Sequence, residues 1–472
     1  MSKILLINPP LPKNELYARG AKATASIIPP LGLASIAAVL EKEGNYVEII
    51  DGIVSPLSLE EIAAHAKKFD FLGITVNTAL FKRCIELIKA VKDRDPGKII
   101  IAGGPHASVL PFSLLSKGVD YVVAGEGERT IKELTDALKR EDFPALEKIK
   151  GIAFMKNGKM VLTEKRPLIE NLDDLPMPAR HLLPMHLYKT SEARAYRNPC
   201  HSLVVSRGCP GTCSFCIKGI FGTKVRYRSP QRIVEEMLIL QDKYGAREIA
   251  FLDDNFTTKK DIVLEVCRLI LASNLHIPWS CEARIDSIDE EMLKMLKIAG
   301  CNFVAYGIES GSDEMLKKIN KRITTSLIER TVKLTRKAGI PTRGYFILGF
   351  VGETEEQMFQ TIKFSERLNL DVATFSLLIP FPGTADYERA QKEGGTFDPE
   401  FFYKKNIPEF NFLDEPVYSP RNISASRLLE IHKTAYRKFY FRPSFILREI
   451  LRIRSFEDIK RALKGAETVL KS

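Results

Sequence analysis

Three cysteines, Cys209, Cys213 and Cys216, stand in the run Val205-Ser-Arg-Gly-Cys-Pro-Gly-Thr-Cys-Ser-Phe-Cys-Ile217. Three thiolates so close on one loop suit three irons of a four-iron cluster, whereas a purely structural cluster takes a fourth cysteine. The iron left without a protein ligand is an open coordination position, the logic that separates catalytic from structural metal sites. A zinc knuckle is the competing reading. No fourth cysteine follows closely, and Cys200 with His201 is the only nearby supplement.

The chain around this loop has 472 residues, enough for two or three domains. A composition 45% hydrophobic and 27% charged is that of a soluble globular protein. No apolar run approaches the roughly 20 residues of a membrane span. The start, Met1-Ser-Lys-Ile-Leu-Leu-Ile-Asn-Pro-Pro10, reads as a strand and turn rather than a secretion signal. Cys84, Cys267, Cys281 and Cys301 are scattered in apolar segments and are expected as reduced core residues, which points to the cytoplasm and, with the cluster, to low oxygen. The net charge of +11 is uneven, for from His432 to Ser472 eleven Lys/Arg face four Asp/Glu.

Residues 1–140 alternate strand and helix. Strands are expected at Lys3–Asn8, Tyr46–Asp51, Phe71–Val76, Ile99–Gly103 and Tyr121–Ala124, with helices between them and a closing helix over Gly127–Arg140. Near-continuous apolar strands separated by helices predict an α/β fold, here a Rossmann-like, doubly wound parallel sheet. Ligands of such sheets lie at the carboxyl ends of the strands. Asn8, Thr75, Asn77, the run Gly103-Gly-Pro-His-Ala-Ser108 and the run Gly125-Glu-Gly-Glu128 occupy those ends, and glycines there let backbone approach a large ligand. The proline-bearing stretch 141–195 reads as a linker.

From 196 to 390 a second βα rhythm runs through strands at Ser202–Arg207, Glu248–Asp253, Trp279–Arg284, Phe303–Ile308, Arg343–Leu348 and Ala373–Ile379. Six units predict a partial (β/α)6 barrel with its chemistry at the strand carboxyl ends. Those ends carry Asp253-Asp-Asn255, Glu282-Ala-Arg-Ile-Asp286, Gly307-Ile-Glu-Ser-Gly311, Gly349-Phe-Val-Gly-Glu353 and Pro380-Phe-Pro-Gly-Thr384. Residues 391–472 form a basic, mostly helical region with Ala435-Tyr-Arg-Lys-Phe-Tyr-Phe-Arg442 and Ile446-Leu-Arg-Glu-Ile-Leu-Arg-Ile-Arg454. It is expected to be a helical lid with a solvated basic face, or a contact with a membrane surface. Nucleic-acid binding is not expected, because no recognition module accompanies the charge.

The C-x3-C-x2-C spacing and the strand-end blocks, in order over residues 1–390, resemble the radical S-adenosylmethionine (SAM) enzymes. Pro29-Pro-Leu-Gly-Leu-Ala34, Gly-Gly-Pro-His-Ala and Gly-Glu-Gly-Glu resemble the cobalamin-binding domain fused to many of them, and Leu175-Pro-Met-Pro-Ala-Arg180 resembles their linker. The resemblance implies a 4Fe-4S cluster on Cys209, Cys213 and Cys216, with SAM on its open iron. It implies SAM contacts from Phe215, Arg284, Glu309, Pro382, Gly383 and Thr384, and cobalamin contacts from Asn8, Thr75, Asn77, Gly103, Gly104, His106, Gly125 and Glu126. The D-x-H-x-x-G signature of other corrinoid proteins is absent, so His106 is expected at the cofactor's periphery or on backbone rather than on cobalt. Other roles compete: helix capping for Glu309, an ion pair with Asp286 for Arg284, and substrate binding or capping for Asp253 and Asp254.

The implied family includes class B radical SAM methylases and the anaerobic magnesium-protoporphyrin monomethyl ester cyclase type. The activity implied is methyl transfer to an unactivated carbon, initiated by a 5′-deoxyadenosyl radical. A cyclase or carbon–carbon bond-forming enzyme without methyl transfer is the alternative, and a non-catalytic iron–sulfur redox protein a third. The expected partners are a small-molecule substrate, lipid and tetrapyrrole among the family's choices, and an electron donor such as flavodoxin or ferredoxin.

Overall fold

The computed structural model describes residues 1–11, 26–55, 57–191, 195–407 and 415–452. The last part of the basic tail, 453–472, lies outside the described residues. Two sheets organise the chain. The first contains strands β1 (Lys3–Asn8), β2 (Tyr46–Asp51), β3 (Phe71–Thr75), β4 (Ile99–Gly103), β5 (Tyr121–Val123), β6 (Ile152–Lys156) and β7 (Lys159–Leu162), in the order β2-β1-β3-β4-β5-β6-β7. The five parallel strands β1–β5 meet the sequence expectation. Their order reverses between β1 and β3, so Asn8 and Thr75 stand at the switch point where such sheets bind ligands.

The run in β1 shows why this sheet is buried on both faces. Ile4 and Leu6 pack into one core with the helices Leu31–Lys42 and Gly127–Lys139, while Leu5 and Ile7 enter a second core with the helices Leu59–Ala66 and Phe81–Arg94. Period-two alternation with apolar residues on both faces leaves no position for a polar side chain until Asn8.

The stretch 141–195 is more than a linker. Strands β6 and β7 form an antiparallel hairpin and β6 adds to the edge of β5, with Val122 opposite Ala153. The sequence reading passed over it because the outer strand β7, Lys159-Met-Val-Leu162, is largely exposed and carries no buried apolar signal.

The second sheet is open and parallel, in the order β15-β14-β13-β12-β11-β8. It contains β8 (Cys200–Leu203), β11 (Glu248–Phe251), β12 (Trp279–Ala283), β13 (Cys301–Glu309), β14 (Thr342–Leu348) and β15 (Val372–Leu377). Here a correction is needed, since the expected strand Ser202–Arg207 is two pieces. β8 ends at Leu203, and a short strand β9 (Ser206–Arg207) turns away to pair antiparallel with β10 (Arg226–Tyr227). Asp253 causes the break: its Oδ1 accepts from the Val205 and Ser206 N–H groups at 2.9 and 2.5 Å and from the Ser206 hydroxyl at 2.6 Å.

The free edge of β15 is closed by the helix Ala425–Tyr440. The Tyr436 hydroxyl donates to the Phe375 carbonyl at 3.0 Å and the Tyr440 hydroxyl to the Ala373 carbonyl at 2.8 Å, while the N–H groups of Phe375 and Ala373 donate back to those hydroxyls. Tyrosine side chains thus replace the missing neighbour strand, which an open sheet edge otherwise offers to other chains. No described helix is long and apolar enough to cross a membrane.

Candidate active site

The cysteine loop hangs between β9 and β10. Gly208 enters it at φ +91°, and a Cβ there would lie 2.4 Å from the Lys224 carbonyl oxygen, so only glycine passes. The Ser214 N–H donates to the Ile319 carbonyl at 2.9 Å, and the Asn320 amide donates to the Thr212 hydroxyl and carbonyl at 2.6 and 3.0 Å. The loop is therefore fastened to the segment after β13. Cys213 is buried, Cys209 half-buried and Cys216 exposed.

Arg284, at the end of β12, forms the ion pair with Asp286 that competes with its expected SAM contact. Its Nε and Nη2 form a two-point pair with Asp286 at 2.9 Å each, and its Nη1 lies 3.8 Å from the Cys213 sulfur. Asp286 aims the guanidinium at the thiols, which places a fixed cation beside the donor set. Three thiol donors beside an aimed cation suit a thiolate-ligated iron cluster. A zinc knuckle finds no support in the geometry, since no three His, Cys, Asp or Glu side chains converge on a single ion position among the described residues.

Glu309 ends β13 with φ +70°, where the register with β14 slips between Gly307 and Glu309. A non-glycine residue held left-handed is strained, and such strain collects at functional sites. Its Oε1 accepts from the Lys321 Nζ at 2.7 Å, with both side chains buried. Capping is not its role, because the Ser312 hydroxyl caps the next helix. Lys321 belongs to the site and escaped the sequence reading: it sits in the charge-rich run Lys317-Lys-Ile-Asn-Lys-Arg322, which reads as a solvated face. Its backbone carbonyl also accepts from Arg284 at 3.0 Å, and its ammonium lies 6.0 Å from the centre of the Phe215 ring. Phe215 in turn faces Phe350 at 5.6 Å. Arg284, Glu309, Lys321 and Phe215 thus gather around the cysteine loop.

Burial along the strands outlines the cavity. Ala250, Glu282, Gly307, Tyr345, Ile347, Thr374 and Ser376 are half-buried between fully buried neighbours, so they line the lumen of the half-barrel. The Tyr345 hydroxyl donates to Glu282 at 3.1 Å inside it. Asp253, a possible substrate contact in the sequence, is instead buried under the cysteine loop, where burial pushes its carboxyl up to about 7.

The corrinoid candidates divide into two groups. Asn8, Thr75, Asn77, Gly103, Gly104 and Gly125 are half-buried along the carboxyl edge of the first sheet, an open rim of small polar groups and bare backbone that suits a large amide-fringed ligand. His106 and Glu126 are taken by the protein. The His106 ring bonds the Thr78 hydroxyl at 3.1 Å and the Ser113 hydroxyl at 2.9 Å and packs on Phe81, which leaves no nitrogen for cobalt. Glu126 corrects its expected role. Its carboxylate is 3% exposed, bound by Arg207 and Arg226 at 2.9 Å, and accepts from the Ile169 N–H at 2.7 Å.

Those arginines belong to β9 and β10, so the rim of the first sheet is bolted to the base of the cysteine loop. Arg207 also pairs with Glu128. Gly383 makes a second junction, with φ +85° and a Cβ position 2.6 Å from Val109 of the first domain and 3.6 Å from Ile217 of the cysteine loop. The Asp386 N–H bonds the Ser214 carbonyl at 3.1 Å, and Thr384 caps the helix Ala385–Lys392. The run Pro382–Thr384 therefore lies against the cysteine loop. The connecting segment supports both sides: the Ala179 N–H bonds the Ala34 carbonyl at 2.9 Å, and Arg180 pairs with buried Glu236 at 2.8 Å.

Residues 203–365 match the model of the radical SAM superfamily, and residues 21–135 that of the B12 binding domain. The chain is 36% identical over 98% of its length to an uncharacterized methyltransferase of Pyrococcus horikoshii, 97% of which is covered. This chain belongs to the cobalamin-dependent radical SAM methyltransferase family.

The radical SAM enzyme is also 27% identical, over 91% of its length and 77% of the relative, to the anaerobic magnesium-protoporphyrin IX monomethyl ester cyclase of Rubrivivax gelatinosus. Among solved structures it shares the fold of the radical SAM methyltransferase TsrM from Kitasatospora setae, with TM-score 0.70, 20% identity, and 94% and 90% of the two chains covered. It shares the fold of OxsB as well, with TM-score 0.68, 18% identity, and 99% and 71% covered. The enzyme's cofactors are a 4Fe-4S cluster, SAM and cobalamin.

Proposed function

We propose that the enzyme transfers a methyl group from SAM, by way of cobalamin, to an unactivated carbon of a small molecule held in the half-barrel. The observation that carries this reading is the double junction of the two domains. Arg207–Glu126 and Val109–Gly383 bring the rim of the first sheet against the cysteine loop. A methyl carrier and a radical source that share one substrate need to be held close, since proximity is worth several kcal/mol of barrier. When bound, the corrinoid supplies the methyl carrier and the cluster the electron that cleaves SAM.

This chain's residues do the rest. Cys209, Cys213 and Cys216 hold the cluster. Glu309 takes the SAM ammonium, Arg284 and Lys321 supply positive charge for its carboxylate, and Phe215 with Pro382–Thr384 borders the adenine. Asn8, Thr75, Asn77, Gly103, Gly104 and Gly125 cradle the corrinoid. Glu282, Tyr345, Thr374 and Ser376 give the substrate polar contacts, and a flavodoxin or ferredoxin supplies electrons.

The test is to reduce the reconstituted enzyme with methyl-labelled SAM and to separate the products. Methyl transfer through cobalamin yields S-adenosylhomocysteine as well as 5′-deoxyadenosine. 5′-Deoxyadenosine alone would support cyclisation without methyl transfer, the reading favoured by the likeness to the cyclase.

A further inference from the structure

The helix Pro443–Arg452, which ends the described chain, is held on one side only. Phe445 packs on Phe439 and Tyr440, with ring centres 5.7 and 5.1 Å apart. Arg448 donates to the Asn369 side chain at 2.8 Å and to the Leu370 carbonyl at 2.7 Å. Positions three apart share a helix face, so these two anchors fix the rotation of the helix. Among the described residues nothing covers the other face. Ile446, Leu447, Ile450 and Leu451 are 42, 59, 58 and 73% exposed, and Phe441 just before the helix is 39% exposed. Spaced i, i+1, i+4 and i+5, the four make a continuous stripe. Single exposed apolar residues need no explanation, but a grouped stripe on an anchored helix does.

Charge indicates what covers it. The preceding helix exposes Lys433, Arg437 and Lys438 in its last turns, none of them in an ion pair among the described residues. From His432 onward the chain carries eleven Lys/Arg against four Asp/Glu. A second copy of this chain would bring a second positive tail to the same stripe, and like charges oppose that contact. An apolar stripe in a tail rich in lysine and arginine is the combination that settles into an anionic bilayer interface. We propose that the helix Pro443–Arg452 seats the enzyme on an anionic lipid surface. Its stripe enters the boundary between headgroups and acyl chains, and the neighbouring lysines and arginine meet the headgroups. The proposal does not depend on which reaction the barrel carries out.

Flotation of the full-length enzyme with vesicles tests it, using mixed phosphatidylglycerol and phosphatidylcholine against phosphatidylcholine alone. Binding is expected on the anionic vesicles, on the order of tenfold weaker on the neutral ones, and reduced by salt. The double variant Leu447→Glu/Leu451→Glu should lose binding by roughly tenfold or more, with unchanged thermal unfolding because neither side chain is buried. Lys433→Glu and Arg437→Glu should each weaken binding by roughly fivefold. Failure to float with anionic vesicles would overturn the proposal, as would double-variant binding equal to the parent's. A dimer that the double variant dissociates would assign the stripe to a second copy instead.

Discussion

Arg207, two residues before Cys209, donates to Glu126 at 2.9 Å across the boundary between the two sheets. Glu126 follows Gly125 at the carboxyl edge of the first sheet, so one ion pair links the base of the cysteine loop to the edge of the B12-binding domain. Arg226 completes the knot, with its Nη1 2.9 Å from both Glu126 oxygens and 2.6 Å from the Ile169 carbonyl. Buried charges of this kind add little net stability when complete, but removing one partner strands the others.

Glu126→Ala therefore leaves Arg226, 2% exposed, without its carboxylate, and should cost about 3–5 kcal/mol in chemical unfolding. Cluster incorporation should fall with it, because Arg207 loses one of its two carboxylate partners and keeps only Glu128. Unfolding and iron content equal to the parent's would remove the knot from the account.

Each of Cys209→Ser, Cys213→Ser and Cys216→Ser should abolish the cluster's visible absorbance and all SAM cleavage. Cys200→Ser, in a side chain buried within β8, should keep both. A cluster that survives loss of one of the three, or that disappears with Cys200, would point to another ligand set.

The sequence made the two sheets legible because their strands are apolar on both faces and are punctuated at their carboxyl ends by glycine and polar residues. It made the three thiols legible because their spacing is local. Other features depend on tertiary structure. Lys321 reads as surface in the sequence and becomes a site residue only because the turn after the helix Asp313–Lys318 folds back under Glu309. The partners of Glu126 and Asp253 are not legible in the sequence, because a carboxylate at a strand end looks the same whether it faces a ligand or a buried arginine or amide.

Lys321→Met should weaken SAM binding by about tenfold or more, by calorimetric titration of the reconstituted enzyme, since the SAM carboxylate then loses the cation proposed for it and Glu309 its fixed orientation. Lys321→Arg should recover part of it. Unchanged binding in Lys321→Met would place Lys321 outside the SAM pocket.

Acid sensitivity follows from two buried histidines. Burial lowers both His106 and His432 to about 4, the latter against the pull of the Phe375 carbonyl. Between that value and the ordinary one near 6.5 the unfolded imidazoles bind more protons, so the histidines' contribution to stability rises with pH across this window and is lost as pH falls through it, while the raised carboxyl of Asp253 contributes with the opposite sign. Each histidine contributes up to about 3 kcal/mol of that slope. His106→Gln should flatten the unfolding-versus-pH curve between about pH 4 and 6.5. It should also leave the cobalt(II) paramagnetic spectrum unchanged, because both ring nitrogens are already bonded within the protein. Loss of a nitrogen splitting in the variant would make His106 a cobalt ligand.

The most direct test of the central claim, that one chain carries a cluster and a corrinoid on abutting loops, is the spectrum of anaerobically purified protein. Iron, sulfide and hydroxocobalamin are offered and the excess removed. The account predicts cluster absorbance together with stoichiometric corrinoid. A full cluster with no retained corrinoid would contradict it and leave a radical SAM barrel whose first domain has another use.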